Sequence, residues 1–532
     1  MLISEMLEHK VDVLRRPLAW ADARMNQLYG WKYNPLYHSG VLAASLLAMV
    51  TVTGIYLLLF YRVGSPYPSV ARITNDIVLG RFARSLHRYA SDAALAAAAV
   101  HMARVFLQRR TWGPRALAWL SGLVLLFSVL VCGWTGYVMV WDVQAEVIAR
   151  EGARWLDFLP LFSEPIGRAF DGERALPGAF FFLNLFAHVA LPVGLGVIFW
   201  IHVSRVARPQ LVPPRGILWA GAGLLAAASI VLPVGLAPAA DLFHLPGRAS
   251  YDVFFAFFLP FTRPLPAWGV WVAGCAVSAL LCAVPWIMRP PAAQVPPPST
   301  VDEHSCTGCE QCYMDCPYEA ITMVARTDGR PYLLAQVDPA LCVSCGICAG
   351  SCGPMGVGPA GRTGKDQLRR VAAFVGAHRA GPRDVVIITC RNGGGIGALD
   401  TFEGASVYPV NCAGNLHSSV VEYFVRAGAG GVMVVTCPPR DCWNREGPIW
   451  AEQRLFHDRE AELQPRVDKA RVRLVHANEA ERALVTRALE AFRAEVAGFA
   501  ALEAETAIEL ERECPVGPES REAMGAPGGP AQ

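Results

Sequence analysis

Six apolar segments in the first half of the chain are each long enough to cross the roughly 30 Å hydrocarbon core of a bilayer as a helix. They cover about 39–61, 86–107, 115–140, 177–203, 216–236 and 266–288. Inside a bilayer every backbone N–H and C=O group must find a partner within the protein, and a helix meets this condition within one segment. The sequence therefore predicts an all-α membrane domain over 35–288 with six transmembrane helices.

Two of the predicted helices carry histidines at the same spacing. His87 and His101 lie on the second segment, His188 and His202 lie on the fourth, and fourteen residues separate the members of each pair. Fourteen residues make nearly four helical turns, so the two histidines of a pair share one face, about 21 Å apart along the axis. Ionisable groups in membrane segments usually mark functional sites, and haem iron accepts histidine as an axial ligand. The spacing predicts two haems stacked through the membrane; the alternative is four polar residues satisfied by hydrogen bonds between helices.

Positively charged residues predict how these helices are oriented. Arginines are frequent between the second and third segments and between the fourth and fifth, whereas the connection 142–176 carries more acidic residues. Under the positive-inside rule the arginine-rich connections are cytoplasmic, 142–176 is external, and both termini face the cytoplasm. The histidines then form an outer tier and an inner tier: His87 with His188, and His101 with His202. The amphipathic N-terminal segment 1–34 is predicted to lie on the membrane surface.

The second half of the chain is rich in cysteine. Segment 289–300, RPPAAQVPPPST, is predicted to be a stiff, extended linker. Beyond it, twelve of the sixteen cysteines fall between Cys306 and Cys442. Clustered C-x-x-C spacing in a large chain indicates metal ligation rather than disulfide bonds.

Two cysteine runs within 301–358 have the spacing of a two-cluster ferredoxin. Each run reads C-x-x-C-x-x-C-x-x-x-C, and the first is followed by Pro317. In such a domain the fourth cysteine of each run binds the cluster of the other run. The predicted ligands of the first 4Fe–4S cluster are Cys306, Cys309, Cys312 and Cys352. Those of the second are Cys316, Cys342, Cys345 and Cys348. The alternative is structural zinc, which rarely uses this triple spacing.

The last part of the chain alternates apolar strands with helical patterns, which indicates a small parallel α/β domain over 384–498. The predicted strands are 384–390, 431–437 and 470–477, and the predicted helices are about 417–427 and 479–496. Four cysteines at or after strand ends would meet in one crevice; they are Cys390, Cys412, Cys437 and Cys442. Their spacing leaves open a 2Fe–2S cluster, a Zn²⁺ ion or no metal. The tail 505–532 is rich in Glu, Gly and Pro and is predicted to be disordered.

The first half resembles the N-terminal portion of cytochrome b from quinol-oxidising complexes, over about 30–288. Glycines on the first and third segments repeat the fourteen-residue step of the histidines; they are Gly40, Gly54, Gly122 and Gly136. Arg84, in RSLH, matches the haem-propionate arginine of the family, and GWTGYVMVWD (133–142) resembles its motif beside the outer quinol pocket. The resemblance implies that His87 and His188 bind the outer haem b, that His101 and His202 bind the inner one, and that the glycines let haem pack against helix backbone.

The chain also departs from cytochrome b. The family has eight helices, and only six are matched here. Its Pro-Glu-Trp-Tyr motif aligns with 249–252, where the glutamate is missing although Asp252 is near, and Val140 stands where proline is usual. We therefore expect a single quinone site near one haem rather than quinol bifurcation of the respiratory kind.

The second half carries two further resemblances. Segment 301–358 resembles bacterial two-cluster ferredoxins. The region from about 384 to 496 resembles the delta iron–sulfur subunit of methyl-viologen-reducing hydrogenases, through NCAGNLHSS (411–419) and TCPPRDCWNREG (436–447). This resemblance implies a 2Fe–2S cluster on the last four cysteines and electron exchange with a flavin subunit.

Together these features predict a membrane-bound electron-transfer subunit of an oxidoreductase complex in a bacterial or archaeal cytoplasmic membrane. Its fold would be a di-haem helical bundle, then a ferredoxin-like domain, then a small α/β domain, with the iron–sulfur domains in the cytoplasm. Electrons would pass between the quinone pool and a flavoprotein of the heterodisulfide-reductase or hydrogenase type.

Other functions are less consistent with the sequence. One alternative is a conduit and membrane anchor without its own quinone site, and another is a zinc-stabilised scaffold without a redox role. The chain has no glycine-rich dinucleotide fingerprint and no basic, aromatic-interleaved patch for nucleic acid. The cytochrome b resemblance also allows a homodimer formed through the membrane domain.

Overall fold

The structure, a computed structural model, divides into two compact units, Met1–Val295 and Pro296–Gln532. Among the residues that the structure describes, side chains are described for Val11 and for those between 13 and 499. The described residues are 2–160, 165–170, 176–204, 208–244, 252–291, 294–378, 380–390, 402, 405–457, 459 and 461–513.

The described part of the first unit is helical. Its α-helices are α1 (Leu2–Tyr29), α2 (Ser39–Leu58), α3 (Pro66–Asn75), α4 (Gly80–Leu107), α5 (Ala116–Val138), α6 (Val143–Leu156), α7 (Gly178–Ser204), α8 (Arg215–Val231), α9 (Leu259–Thr262) and α10 (Ala267–Ile287). Helix α2 packs against α4, α5 packs against α7, and α4 also contacts α5. The two histidine-bearing helices are therefore each paired with a glycine-bearing helix.

Five of the six predicted spans coincide with helices that are long and apolar enough to cross a membrane. These helical stretches are Pro35–Leu58, Gly80–Leu107, Gly113–Val138, Gly178–Ser204 and Ala267–Ile287. The prediction that this part of the chain is a multi-pass helical membrane domain is thus confirmed. The sixth predicted span corresponds to a shorter apolar helix, and its crossing of the membrane stays a prediction.

The sixth predicted span, 216–236, forms the shorter helix α8. It has 17 residues, which gives a length of about 26 Å, less than the hydrocarbon core. The helix ends before Leu232, whose φ of −124° and ψ of 60° are not helical. Pro233 explains the end, because proline disfavours the helical conformation of the residue before it.

Helix α1 forms over the predicted amphipathic segment and is attached to the end of α4. The guanidinium of Arg104 donates to both carboxylate oxygens of Asp22, at 2.6 and 2.8 Å, and lies over the ring of Tyr37, 5.0 Å from its centroid. Asp22 and Arg104 are both buried. This ion pair fixes α1 to the membrane bundle.

The second unit begins with a cysteine-rich part built from two short strand pairs and two short helices. The antiparallel pairs are β1 (Thr300–Val301) with β4 (Val357–Gly358), and β2 (Ile321–Val324) with β3 (Leu334–Val337). The helices α11 (Gln311–Met314) and α12 (Ile347–Gly350) each carry the third cysteine of a run. Each helix follows a residue with positive φ, Glu310 at 64° and Gly346 at 80°.

The predicted linker 289–300 is shorter in the structure. The second unit begins at Pro296, and the carbonyls of Pro296 and Pro297 accept hydrogen bonds from the Ser344 hydroxyl. Thr300 already belongs to β1. Since proline carbonyls still accept hydrogen bonds, the last prolines of the linker pack as part of the cysteine-rich domain.

The C-terminal part is a four-stranded parallel sheet with strand order β6-β5-β7-β8. The strands are β5 (Val385–Cys390), β6 (Ala405–Val410), β7 (Gly431–Thr436) and β8 (Val472–His476). Alternate residues of β5 and β7 face opposite sides, so helices cover both. One side packs against α13 (Gly364–Ala377) and α14 (Ser418–Arg426), and the other against α16 (Arg482–Glu513). The predicted parallel α/β fold is confirmed.

Three elements differ from the predictions for this part. Segment 359–383, in which the sequence analysis predicted no helix, contains α13, whose Val371 lies in the core. Strand β6 was not predicted, and its Pro409 is compatible with the edge position that β6 occupies. Helix α16 continues to Glu513, into the tail 505–532 that was predicted to be disordered; the residues after Glu513 lie outside those described.

Candidate redox centres

The outer histidine tier consists of two imidazoles that face each other. The ring centroids of His87 on α4 and His188 on α7 are 6.4 Å apart, with 54° between the ring planes. Metal–nitrogen bonds of about 2 Å on each side, together with the size of the ring, place the centroids of two axial imidazoles about 6 Å apart. The two rings therefore have the separation that one iron atom between them requires.

Both outer histidines are oriented by hydrogen bonds to a neighbouring helix. The Nδ1 atom of His87 lies 3.0 Å from the carbonyl oxygen of Val50 on α2. The Nδ1 atom of His188 lies 2.9 Å from the carbonyl oxygen of Cys132 on α5. A carbonyl only accepts, so Nδ1 carries the proton and Nε2 keeps its lone pair for a metal. This second interaction is typical of metal-binding histidines.

The inner tier follows the same plan. His101 and His202 lie close enough to interact electrostatically, and the Nδ1 atom of His202 is 3.1 Å from the Ser121 hydroxyl on α5. His101 faces α2, where a Cβ added at Gly40 would lie 2.8 Å from its Nδ1 atom. Each inner histidine is thus also held against the helix paired with its own.

The four glycines of the fourteen-residue pattern lie directly against the four imidazoles. A Cβ added at each would come within 2.8 to 3.2 Å of a ring atom. The contacts join Gly40 to His101, Gly54 to His87, Gly122 to His202 and Gly136 to His188. The sequence predicted close packing of haem on these glycines, whereas the structure shows that they also make room for the histidine rings.

A hydroxyl residue precedes each of these glycines, which the sequence analysis missed. The residues are Ser39, Thr53, Ser121 and Thr135. The hydroxyl oxygens of Thr53, Ser121 and Thr135 lie 3.1, 3.1 and 3.3 Å from the Nδ1 atom of the facing histidine. The repeated Ser/Thr-Gly dipeptide is a signal that could have revealed them.

Arg84 lies one helical turn before His87 on α4. Its two terminal nitrogens donate to the carbonyls of Val234 and Gly235, at 2.9 and 3.0 Å. The structure therefore shows Arg84 binding the backbone segment that follows α8. Its predicted role beside a haem propionate remains a prediction.

The region aligned with the quinol-pocket motif contains a charged cluster. One carboxylate oxygen of Asp252 accepts from three backbone N–H groups that follow it. The other accepts from the Tyr137 hydroxyl at 2.6 Å and pairs with Arg88. Arg88 also pairs with Asp92 on α4, at 3.1 Å. The other aligned positions, 249–251, lie outside the described residues.

The ferredoxin-type cysteines gather into the two predicted groups. Cys312 interacts electrostatically with the other three cysteines predicted for the first cluster, and also with the neighbouring Cys348. Cys345 interacts with the other three predicted for the second. The fourth cysteine of each run thus lies beside the other run, as the exchange of ligands requires.

Burial favours the thiol form of two cysteines of the second group, Cys345 and Cys348. Burial raises the pKa of Cys345 well above its ordinary value and raises that of Cys348 to about 12. Bound metal ions reverse this preference because they stabilise the thiolate. The site therefore suits thiolates that are neutralised by iron.

Hydrogen bonds to sulfur are present in both groups. The backbone N–H groups of Ala320 and Gly356 lie 3.4 and 3.3 Å from the sulfurs of Cys316 and Cys352. Ser299, at the end of the predicted linker, donates its N–H to Cys342 and places its hydroxyl 3.4 Å from Cys348. Such bonds tune the reduction potential of an iron–sulfur cluster. Ser299 is a contributor that the spacing of cysteines could not reveal.

The last four cysteines meet at the carboxyl edge of the parallel sheet. Cys390 ends β5, Cys437 follows β7, and Cys412 and Cys442 lie in adjacent loops; all four are buried in one cluster. Hydrogen bonding to Cys442, together with burial, raises the pKa of Cys412. Among the described residues no three His, Cys, Asp or Glu side chains are spaced to hold a single metal ion.

Three family models match the chain in succession. The model for cytochrome b/b6/petB matches residues 26–208, the 4Fe-4S dicluster domain matches 305–356, and the methyl-viologen-reducing hydrogenase delta subunit matches 388–499. The predicted fusion of three parts is confirmed.

The first part of the chain is similar to cytochrome b proteins of known function. The menaquinol:cytochrome c reductase cytochrome b subunit of Bacillus subtilis (strain 168) is 24% identical over 217 residues, which are 36% of this chain and 97% of that protein. Cytochrome b of Sulfolobus acidocaldarius is 31% identical over 223 residues, 40% of each chain. A solved hyperthermophilic respiratory Complex III chain aligns with 47% of this chain and 75% of its own, at 19% identity and a TM-score of 0.37.

The chain therefore combines a cytochrome b-like membrane domain, a 4Fe–4S ferredoxin-like region and an α/β region of the hydrogenase delta-subunit type. It is a multi-pass membrane electron-transfer protein, with haem b and 4Fe–4S clusters as the cofactors that these families supply.

Proposed function

We propose that this protein is the quinone-reactive electron-transfer subunit of an oxidoreductase complex. It would carry two b haems, two 4Fe–4S clusters and one 2Fe–2S cluster between the quinone pool and a cytoplasmic flavoprotein of the heterodisulfide-reductase or hydrogenase type. The observation that carries the proposal is the pair of facing imidazoles of His87 and His188, whose ring centroids lie 6.4 Å apart. When bound, these cofactors supply one-electron transfer.

The role of the protein in this relay is to hold and tune the cofactors. The carbonyls of Val50 and Cys132 accept the Nδ1 protons of His87 and His188, which leaves the Nε2 lone pairs free to hold a haem iron. In the soluble domains, backbone N–H groups and the Ser299 hydroxyl would stabilise thiolate charge. These contacts would limit structural reorganisation of the ligands when the bound cofactors gain or lose an electron.

A quinone site is proposed beside the outer haem. Support comes from the similarity to a menaquinol-oxidising cytochrome b subunit and from the cluster of Asp252, Tyr137, Arg88 and Asp92 in the region of the family's quinol pocket. Carboxylates and a phenol there could exchange the protons that accompany quinone redox chemistry. The arginine-rich connections favour an orientation in which both termini and the iron–sulfur domains lie in the cytoplasm. Dimerisation through the membrane domain is part of the same proposal.

Spectroscopy of the purified full-length protein tests the cofactors. Dithionite should produce the α-band of haem b, and its absence would refute the haem assignment. His87→Ala or His188→Ala should remove the outer haem while the 4Fe–4S electron paramagnetic resonance (EPR) signals persist. His244→Ala, at an exposed histidine that pairs with Asp241, is the matched control and should retain both haems.

The second candidate function is a conduit without its own quinone site. The observation that favours it concerns Asp252, the carboxylate near the missing glutamate, which already caps three backbone N–H groups and pairs with Arg88. Reoxidation of reduced haem by a quinone analogue separates the two functions. Acceleration by the analogue supports the quinone-reactive subunit, and no acceleration supports the conduit.

A further inference from the structure

The second unit contains a tight junction between the ferredoxin-type domain and the α/β domain. Gly346 lies between Cys345 and Cys348, and its carbonyl accepts a hydrogen bond of 2.9 Å from the side chain of Asn415. Asn415 follows Cys412 by one short turn. The second 4Fe–4S group and the four-cysteine site are thus joined through backbone and one amide side chain.

Two glycines allow the backbones to approach closely at this junction. A Cβ added at Gly350 would lie 2.5 Å from the carbonyl oxygen of Gly414, and one added at Gly414 would lie 2.7 Å from the side chain of Ile347. Helix α12 and the loop after Cys412 are therefore in direct contact.

A second contact joins the same two cysteine groups. Arg445, three residues after Cys442, donates to the carbonyl of Pro317 at 2.6 Å. Pro317 directly follows Cys316, which belongs to the second predicted cluster. The first cluster reaches this junction through the backbone carbonyl of Cys352, which lies 3.2 Å from the imidazole of His417.

A buried arginine on α15 (Gly447–Phe456) fills the junction. Arg454 is 1% exposed, and its terminal nitrogens donate to the Ser351 hydroxyl at 2.8 Å and to the Gly414 carbonyl at 2.7 Å. Its Nε atom has no hydrogen-bond partner, and within the described residues no carboxylate pairs with it directly. A buried charge is normally compensated by an opposite charge.

The opposite charges near Arg454 are the carboxylate of Asp315, whose effect is the largest, and the thiolates of two cysteines. Cys412 and Cys348 are among its electrostatic neighbours, and Asp315 is reached through Ser351. Arg362, which is half-buried, has Cys345, Cys412 and Cys348 as its cysteine neighbours. Among the described residues, the cysteines with the largest electrostatic effect on these two arginines belong to the second predicted cluster or to the four terminal cysteines.

We propose that this junction is the electron-transfer contact between the cluster of Cys316, Cys342, Cys345 and Cys348 and the cluster of the four terminal cysteines. Arg454 acts there as a positioning residue whose fixed positive charge stabilises the reduced state of both clusters. One electron leaves one cluster as the other accepts it, with no bond or proton exchanged. The inference rests on the proposed function, because it requires the iron–sulfur clusters to be present.

Removing the charge should lower the reduction potentials of the two flanking clusters only. In full-length Arg454→Met, EPR titration should show the ratio of reduced to oxidised cluster about tenfold lower at a fixed ambient potential, which is about 59 mV for a one-electron couple. Arg454→Lys keeps the charge and should stay within about threefold of wild type. Arg466→Gln removes a remote surface arginine that pairs with Glu422 and should change nothing.

Two outcomes would overturn the proposal. Equal shifts of all three clusters, or the largest shift in the cluster of Cys306, would place Arg454 elsewhere in the relay. If Arg454 variants do not fold, Arg362→Gln should give a smaller shift with the same selectivity, and no shift there also refutes the proposal.

The order of the clusters has an independent readout. Reduction of a neighbouring cluster broadens the 2Fe–2S signal through magnetic coupling. Cys345→Ser should abolish this broadening, whereas Cys309→Ser should leave it; the reverse result refutes the order. Wild-type protein without iron–sulfur signals would instead refute the proposed function, so the two failures are distinguishable.

Discussion

Replacing any of the four glycines that contact the histidines by alanine should weaken haem binding. The effect should be larger where the glycine lies closer to the imidazole. The clearance for a Cβ is 2.8 Å at Gly40 and Gly136, and 3.1 and 3.2 Å at Gly54 and Gly122. Each tier contains one tight and one looser site: Gly136 and Gly54 face the outer histidines, and Gly40 and Gly122 face the inner ones. The comparison can therefore be made within each haem site.

The size of the effect follows from these clearances. Nonbonded carbon contacts are favourable at about 3.5–4.0 Å, so the imidazole must retreat by roughly 0.7–1.2 Å at the tight sites and by about 0.3–0.9 Å at the others. Overpacking of this kind costs about 1–3 kcal/mol. We expect Gly40→Ala and Gly136→Ala to be near the upper end, with haem affinity lowered about 100-fold, and Gly54→Ala and Gly122→Ala to lose about tenfold or less.

Haem content per protein and the midpoint potential of each remaining haem measure the effect. Gly223→Ala and Gly274→Ala are matched controls, because a Cβ at either position has no atom within 4 Å. The reasoning is wrong if the tight and looser sites lose equal amounts of haem. It is also wrong if Gly136→Ala empties the inner tier rather than the outer one.

Three further predictions concern other parts of the molecule. Asp22→Asn should leave the buried Arg104 charge uncompensated and lower the stability of the membrane domain by about 3–5 kcal/mol, visible as a lower melting temperature in detergent; an unchanged melting temperature contradicts this. Cys437→Ser should weaken the 2Fe–2S signal and leave the two 4Fe–4S signals unchanged. Loss of all three cluster signals would show that the domains do not bind their clusters independently. Burial lowers the pKa of His476 to about 4, so the unfolded state binds more protons between pH 4 and 6.5, and denaturant titrations should show stability falling by at most about 3 kcal/mol as the pH drops through that range. His476→Gln should flatten this dependence, and an equally steep curve in the variant would assign it to other groups.

The sequence was most informative where chemistry requires a fixed spacing along one element. The two cysteine runs and the histidine pairs each have a characteristic spacing within one segment. The sequence could therefore identify them as candidate ligands before any tertiary contact was known. Contacts between distant segments could not be predicted in this way. Ser299 lies in a proline-rich stretch that looks like a spacer, and only folding brings it to Cys342 and Cys348.

Helix ends show the same limit for the membrane domain. Hydropathy alone extended the sixth span to residue 236, because a hydropathy window does not respond to the backbone restriction that Pro233 imposes on Leu232. Conversely, the sequence analysis predicted no helix at α13. Val371 becomes part of the core only because the sheet and α14 lie next to it.

The pairing of glycines with histidines can be predicted from the sequence only in part. On two antiparallel helices, a step up one helix corresponds to an equal step down the other. If Gly54 meets His87, then Gly40, fourteen residues earlier, must meet His101, fourteen residues later; the same holds for Gly136 with His188 and Gly122 with His202. Equal spacing therefore makes both contacts of a helix pair form together. The sequence contains that match, but it cannot state which glycine helix faces which histidine helix, since both carry the same step. Packing of α2 on α4 and of α5 on α7 decides it.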